Sequence, residues 1–257
     1  MARALRHGQF RVVYQPIVEI ETGRAASVEA LVRWQHPERG LLSPAAFLPA
    51  AEDTGLVVEL GYWVLTEACH QLRRWDDELG VATPRYVNVN VAVRQMLDDH
   101  LVSWVLDALA RTGIGADRLR LELPEAATLE QLREAAGPLQ RLREAGVALT
   151  LDDLGSEASS LRHLTAQIVN GIKIDKSFVA AMLNDPRDLA IVRLLTDLAH
   201  ALGVLVTAEG VETAAQLEAL RMLECTYAQG YYLARPAPAE VIADGLVQHG
   251  PRVSQQA

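Results

Sequence analysis

The chain has 257 residues, half of them hydrophobic, and a formal net charge of −9. That length is close to one (β/α)8 barrel, and the apolar fraction is enough for a substantial core. The acidic balance argues against a nucleic-acid polymer as partner, because a polyanion footprint is basic; a phosphorylated small molecule remains compatible if metal ions supply the positive charge.

The first strand signal is Arg11 to Val18, where Pro16 lacks an N–H and predicts an edge or irregular strand. Glu21-Thr22-Gly23 turns tightly into a second strand over Ala25 to Trp34. So short a connection joins antiparallel neighbours, since parallel strands need a long crossover. From there the pattern alternates. Gly61 to Leu79 predicts a helix with Val64, Leu65, Ala68, Leu72 and Trp75 on one stripe, followed by a strand at 84–91 and a helix from Val93 to Arg111 that stops at Gly113 and Gly115. A strand at 118–123 precedes a helix from Leu129 to Glu144, capped by Thr128 and ended by Gly146. Strands at 147–152, 169–174 and 204–208 alternate with helices at 188–202 and 213–223, and a last short strand runs from Thr226 to Gln229. Repeated β-α order implies a parallel sheet with helices outside. The expected fold is an α/β, TIM-like (β/α)8 barrel with one antiparallel strand near the N-terminus, in a single domain over 1–257, since no linker-like stretch divides it.

The strand-like runs share a second property: they carry or end in a metal-seeking or proton-handling side chain. These are Glu29, Asn90, Glu122, the pair Asp152-Asp153, Lys173 and Glu209. In a (β/α)8 barrel, chemistry sits at the C-terminal strand ends. Oxygen-rich sets of this kind suit hard divalent cations, and adjacent aspartates repel unless cations lie between them. Each residue has a plainer alternative. Glu29 could be a solvated strand residue, Asn90 a turn residue, Asp152-Asp153 a helix cap, and Lys173 the partner of Asp175. His36, His70, His163 and His200 lack ligand spacing and are expected on the surface or in packing, and Trp63, Trp75 and Trp104 in the core.

Five strings occur in order: Glu29-Ala30-Leu31-Val32-Arg33-Trp34, Asp152-Asp153-Leu154-Gly155, Lys173-Ile174-Asp175, Ala208-Glu209-Gly210-Val211-Glu212 and Gln229-Gly230-Tyr231-Tyr232. Together they resemble the EAL domain family, whose members hydrolyse cyclic di-GMP to linear pGpG, over a core of about 5–245. The resemblance implies a two-metal site with Mg²⁺ or Mn²⁺, Ca²⁺ being inhibitory. Glu29, Asn90, Glu122 and Asp152 would hold one ion; Asp152 would bridge to a second, flanked by Asp153 and Glu209. Lys173 would contact the attacking water or the phosphate, with Glu29, Asp153 and Glu209 sharing the catalytic role. Arg33, Gln15 and Gln229 would bind substrate or support the site, and Glu125 would anchor the loop after the paired aspartates. That loop departs from the family: Glu157 and Ala158 stand where glycine and an aromatic are usual, and Pro124 replaces a threonine. Slow turnover with intact substrate binding is therefore expected. The full set of matching residues favours an enzyme over the alternative, a low-activity or non-catalytic cyclic di-GMP receptor acting through a protein partner. A homodimer is implied; an N-terminal sensory or cyclase domain outside this chain is left open.

Cys69 and Cys225 have no CxxC spacing and are expected as reduced, buried small hydrophobes, in keeping with a cytosolic protein. No apolar run reaches the roughly 18 residues a membrane span needs, and the first residues contain no signal core. A cytoplasmic location is expected, with tethering only through segments outside this chain.

Overall fold

The computed structural model describes residues 1–124, 127–154 and 169–248. Among these are nine strands: β1 (Phe10–Glu19), β2 (Ala25–His36), β3 (Gly40–Leu42), β4 (Tyr86–Asn90), β5 (Leu119–Pro124), β6 (Ala148–Leu154), β7 (Gly171–Ile174), β8 (Leu205–Ala208) and β9 (Tyr227–Ala228). Eight close into a ring in the order β1-β2-β4-β5-β6-β7-β8-β9, and β1 returns to pair with β9. β1 runs antiparallel to both its neighbours, while every other pair in the ring is parallel. The barrel with one antiparallel strand is therefore present as expected. β3 is an addition: it lies outside the ring, antiparallel to the end of β2.

Of the two expectations for β1, the irregular one holds: its register with β2 shifts between Ile17 and Val18, while the strand closes the ring instead of lying at an edge. Tyr14 N donates to Ala237 O, so the nitrogen two residues on, that of Pro16, faces away from β2 as well. β9 reaches β1 only at Val18 and Glu19, so a missing N–H at Pro16 breaks no ladder. The expected helix from Val93 to Arg111 is likewise two pieces, Val93–Met96 and Leu101–Thr112. Asp98 Oδ1 accepts the His100 N–H at 2.7 Å, and this local turn competes with a continuous helix. The helix predicted from Gly61 begins earlier, spanning Val57–Leu79. Thr128 caps Leu129–Glu144 as expected: its hydroxyl accepts Gln131 N, and Gln131 Oε1 accepts Thr128 N.

Strand alternation sorts the side chains into two shells. Val28, Val87, Val89, Leu121, Leu149, Leu151, Ile172, Ile174 and Val206 are almost fully buried in the shell beneath the helices. The inward face is polar, carrying Ser27 and Glu29, Asn88 and Asn90, Arg120 and Glu122, Thr150 and Asp152, and Lys173. At the N-terminal end Arg120 stacks its guanidinium 3.8 Å from the centre of the Tyr86 ring. Barrel interiors are usually filled by branched aliphatic residues, so this polar interior departs from the norm and is what positions the site.

Trp75 is 1% exposed and belongs to the core, as does half-buried Trp63 at its margin. Trp104 does not: it is 47% exposed, lying flat on Tyr62 with ring centroids 4.5 Å apart. The buried stripe of its helix is Leu101, Val105, Ala108, Leu109 and Thr112, which leaves position 104 outside. Among the described residues no helix is long and apolar enough to cross a membrane.

Candidate active site

Parallel register brings the chemistry together. Glu29 pairs across to Asn88, Asn90 to Glu122, and Pro124 to Asp152, so adjacent strands deliver their polar residues to one level at the C-terminal mouth. Lys173, 1% exposed, stands at the centre. Its Nζ lies 2.6 Å from Glu209 Oε1, 2.9 Å from Asp152 Oδ1, 3.1 Å from Glu122 Oε2 and 3.4 Å from Glu29 Oε2. Asp175 is not its partner. That carboxylate accepts the Ser177 N–H at 2.9 Å and caps the helix Lys176–Ala181.

Around this hub the amides orient the carboxylates. Asn90 Nδ2 donates to Glu29 Oε1 at 2.7 Å, and Gln229 Nε2 donates to Glu29 Oε2 at 2.7 Å. Gln229 Nε2 also reaches Gln15 Oε1 at 3.0 Å, while Gln15 Nε2 is tied to Ala234 O. Asn88 Nδ2 donates to Glu122 Oε1 at 2.8 Å. On the other side, ligand atoms of Asp152, Asp153 and Glu209 all lie within 4.8 Å of one another. Asp153 adopts φ 54°, a left-handed conformation uncommon outside glycine. Such strain concentrates at functional sites.

Four carboxylates surround one ammonium and a fifth, Asp153, adjoins Asp152 and Glu209; their protonation reflects the excess of negative charge. Burial pulls the Lys173 ammonium down, but Asp152, Glu122, Glu209 and Glu29 outweigh it and hold the group well above the ordinary lysine range. Burial pushes Glu122 far above the usual carboxylate range, with Glu29 and Asp152 adding to it against Lys173. Burial, helped by Asp152 and Glu29, raises Glu209 to about 8. Burial and the neighbouring Asp152 raise Asp153 to about 6. Glu29 goes the other way: burial raises it, but Lys173, Gln229 and Asn90 together hold it below its ordinary value. A cavity of about 510 Å³ opens over this cluster, lined by Glu29, Asp152, Lys173, Glu209, Gln229 and Tyr231 among others. An apolar cavity of about 300 Å³ adjoins it past Leu31 and Asn90, bounded by Pro44, Leu48, Leu60 and Val64.

The structure thus gathers Gln15, Glu29, Asn90, Glu122, Asp152, Asp153, Lys173, Glu209 and Gln229 in one place. Arg33 is set apart. It follows Glu29 on the same strand face but lies half-buried outside the cavity lining, with Nη1 donating to Val32 O at 2.8 Å. Glu125 and residues 155–158 fall outside the described residues. His36, His70 and His200 take no part in the cluster, and His163 is also outside the described residues. Cys69 and Cys225 are buried free thiols, pushed up to about 12 by burial. Sequence reasoning missed Asn88, whose signal was its place two residues before Asn90 on the same strand face. It also missed two contacts at the mouth. A side chain at Gly210 would run into Lys176, and one at Gly230 would collide with the Val211 backbone, so the cavity wall needs both glycines.

Fold and site together define a barrel protein with an acid-rich pocket at the C-terminal strand ends, built around one buried lysine. The family model for the EAL domain matches residues 1–236, and the chain belongs to that family. It is 40% identical over 240 residues to the bifunctional diguanylate cyclase/cyclic di-GMP phosphodiesterase MucR of Pseudomonas aeruginosa, covering 93% of this chain and 35% of MucR. It is 38% identical over 242 residues to the oxygen sensor protein DosP of Escherichia coli, covering 94% of this chain and 30% of DosP. The chain spans about a third of the length of these curated relatives. Among solved structures, the MucR phosphodiesterase in complex with c-di-GMP superposes with a TM-score of 0.88 at 39% identity, covering 94% of this chain and 97% of that one.

Proposed function

We propose that this barrel is a metal-dependent phosphodiesterase that hydrolyses cyclic di-GMP to linear pGpG. The observation that carries the reading is the pocket itself: Glu29, Glu122, Asp152 and Glu209 converge around Lys173, with Asn90 on Glu29 and Asp153 beside Asp152 and Glu209, in a chain 39% identical to a phosphodiesterase solved with c-di-GMP. An all-oxygen donor set with surplus negative charge fits hard cations. Glu29, Asn90, Glu122 and Asp152 would hold one ion, and Asp152, Asp153 and Glu209 a second. Bound Mg²⁺ or Mn²⁺ would supply water activation and charge neutralisation at a phosphodiester.

The protein's own groups do the rest. Lys173, fixed among the carboxylates, places a permanent positive charge beside the phosphate and the incoming water, where negative charge grows. Gln229 and Asn90 hold the two oxygens of Glu29 in one orientation. Gln15 braces Gln229 from the antiparallel strand. Arg33, above Glu29 on the same strand, would engage a substrate phosphate by swinging away from Val32 O. The adjoining apolar cavity offers a base-sized surface next to the phosphodiester position. One water is added across one P–O3′ bond, and the product keeps the second phosphodiester. A chromatographic assay with cyclic di-GMP and Mn²⁺ tests the reading: accumulation of pGpG supports it, and cyclic di-GMP left intact while bound contradicts it.

Two further results are expected. Ca²⁺ should inhibit where Mg²⁺ or Mn²⁺ supports turnover, because it takes longer bonds of about 2.3–2.6 Å and a looser shell. Rates in each ion alone and in mixtures measure this, and full activity in Ca²⁺ alone would contradict the proposed geometry. Metal binding should also release protons. Asp153 and Glu209, raised to about 6 and about 8, are partly protonated near pH 7, and a ligand carboxyl must give up its proton. Mn²⁺ affinity should therefore rise with pH from 6 through 8, with at least about one proton released per chain near pH 7, because Glu122, also held above the carboxylate range, adds to Glu209. Calorimetry in buffers of different ionisation enthalpy reads that proton directly, and a pH-independent affinity would refute the assignment.

A further inference from the structure

Position 88 is an unusual place for an amide. Asn88 lies in the middle of β4, 3% exposed, on the inward face between Tyr86 and Asn90. Branched aliphatic side chains ordinarily fill such a layer, and a buried amide is unfavourable unless its hydrogen bonds are made. The bond Asn88 makes is to the site: Nδ2 donates to Glu122 Oε1 at 2.8 Å. The other oxygen of that carboxylate, Oε2, is 3.1 Å from Lys173 Nζ. Glu122 is thus held at both ends, one oxygen from below and one at the hub. The two supports are not equivalent. Lys173 is shared among four carboxylates and cannot set the rotation of any one of them. Asn88 Nδ2 serves Glu122 alone among the described residues.

We infer that Asn88 is a positioning residue: it fixes the rotation of the Glu122 carboxylate so that Oε2 faces the pocket, and through Glu122 it sets the affinity of the site for its divalent cation. The inference rests on reading Glu122 as a metal ligand. Partners that orient a ligand typically contribute 10–100-fold to metal affinity, and that is the size expected here.

The test is a double-mutant cycle on the full chain, with Mn²⁺ alone as the probe and isothermal calorimetry as the readout. Asn88→Leu keeps the bulk of the side chain and removes the donor; Mn²⁺ affinity should fall 10–100-fold. In a Glu122→Ala background the same substitution should cause no further loss, because the group through which Asn88 acts is gone. At saturating Mn²⁺ the leucine variant should recover most of its kcat, which a general packing defect would not allow. If Asn88→Leu fails to fold by its metal-free melting curve, Asn88→Ala carries the same cycle. Unchanged Mn²⁺ affinity in a folded variant, or an equal loss in both backgrounds, overturns the assignment of Asn88 alone. Absence of Mn²⁺ binding by the unmodified chain would overturn the metal-site reading beneath it.

Discussion

Glu29→Ala should lower turnover of cyclic di-GMP by roughly 100–1000-fold while the barrel stays folded, which corresponds to about 3–4 kcal/mol of transition-state stabilisation. Three groups now converge on this carboxylate: Asn90 at 2.7 Å, Gln229 at 2.7 Å and Lys173 at 3.4 Å. Alanine would remove a proposed metal ligand and two charge-assisted hydrogen bonds, but exposed Asn90 can turn to water and Gln229 Nε2 keeps Gln15 Oε1 at 3.0 Å. The loss is therefore smaller than the ~1–3 kcal/mol of a buried donor left without an acceptor. Relief of repulsion with Glu122 offsets part of this, because Glu29 is one of the charges that push Glu122 upward. A melting temperature lower by only a few degrees is expected. Steady-state kinetics in Mn²⁺, paired with a melting curve, decide the matter; a folded variant with near-normal turnover would remove Glu29 from the site.

Lys173→Met should be the most disruptive single change in the pocket. It keeps the length of the side chain and deletes the positive charge shared by four carboxylates. Removing one partner of a buried ion pair costs about 3–5 kcal/mol. For a chain of this size that is on the order of 10 °C in melting temperature for the metal-free protein. The pH dependence has a definite sign. Lys173 is held well above the ordinary lysine range, so in the native protein it stays charged throughout pH 5–8 and its stabilisation is fully present there. The carboxylates are what titrate. Near pH 5 Glu209, raised to about 8, and Asp153, raised to about 6, are largely protonated and repel little. Lys173 lowers both groups, so without it they hold their protons to higher pH; that extra protonation costs the variant more as the pH rises, so its deficit should widen from pH 5 to 8 and narrow again when Mn²⁺ is added. Catalysis should fall as well, and Mn²⁺ should not restore it, because the fixed positive charge beside the phosphate is gone. A deficit in stability that shrinks with rising pH would contradict this charge arrangement.

Much of the barrel is legible in the sequence because each strand carries two messages. Val147-Ala148-Leu149-Thr150-Leu151 announces a doubly covered strand, and Asp152-Asp153 marks which end faces solvent. The short turn at Glu21-Thr22-Gly23 forces the antiparallel start. What escaped is set by tertiary context. β3 is only Gly40–Leu42 and depends on the end of β2 for its partner, so no periodicity announces it. Trp104 looks like core by residue type, yet its helix turns another stripe inward. Pro16 suggests an edge or irregular strand; β1 is irregular there yet closes the ring, because on the side its nitrogen faces the pairing with β9 begins only at Val18.

The site divides the same way. Residue types at strand ends point to a cation-binding, oxygen-rich pocket, and the register delivers them to one level. No spacing rule shows that Lys173 sits among four carboxylates, because its partners come from four other segments brought together only by closure of the ring. Asn88 escaped for a related reason: an amide in mid-strand has no meaning until its neighbour across the register, Arg120, places Glu122 within reach.

The central claim is that this pocket cleaves a cyclic dinucleotide. Incubation of the purified chain with cyclic di-GMP and Mn²⁺, followed by chromatography, tests it most directly. Linear pGpG should accumulate at a rate that depends on enzyme and metal, and chelation with EDTA should stop it. Cyclic di-GMP that remains intact while demonstrably bound to the protein would contradict the account.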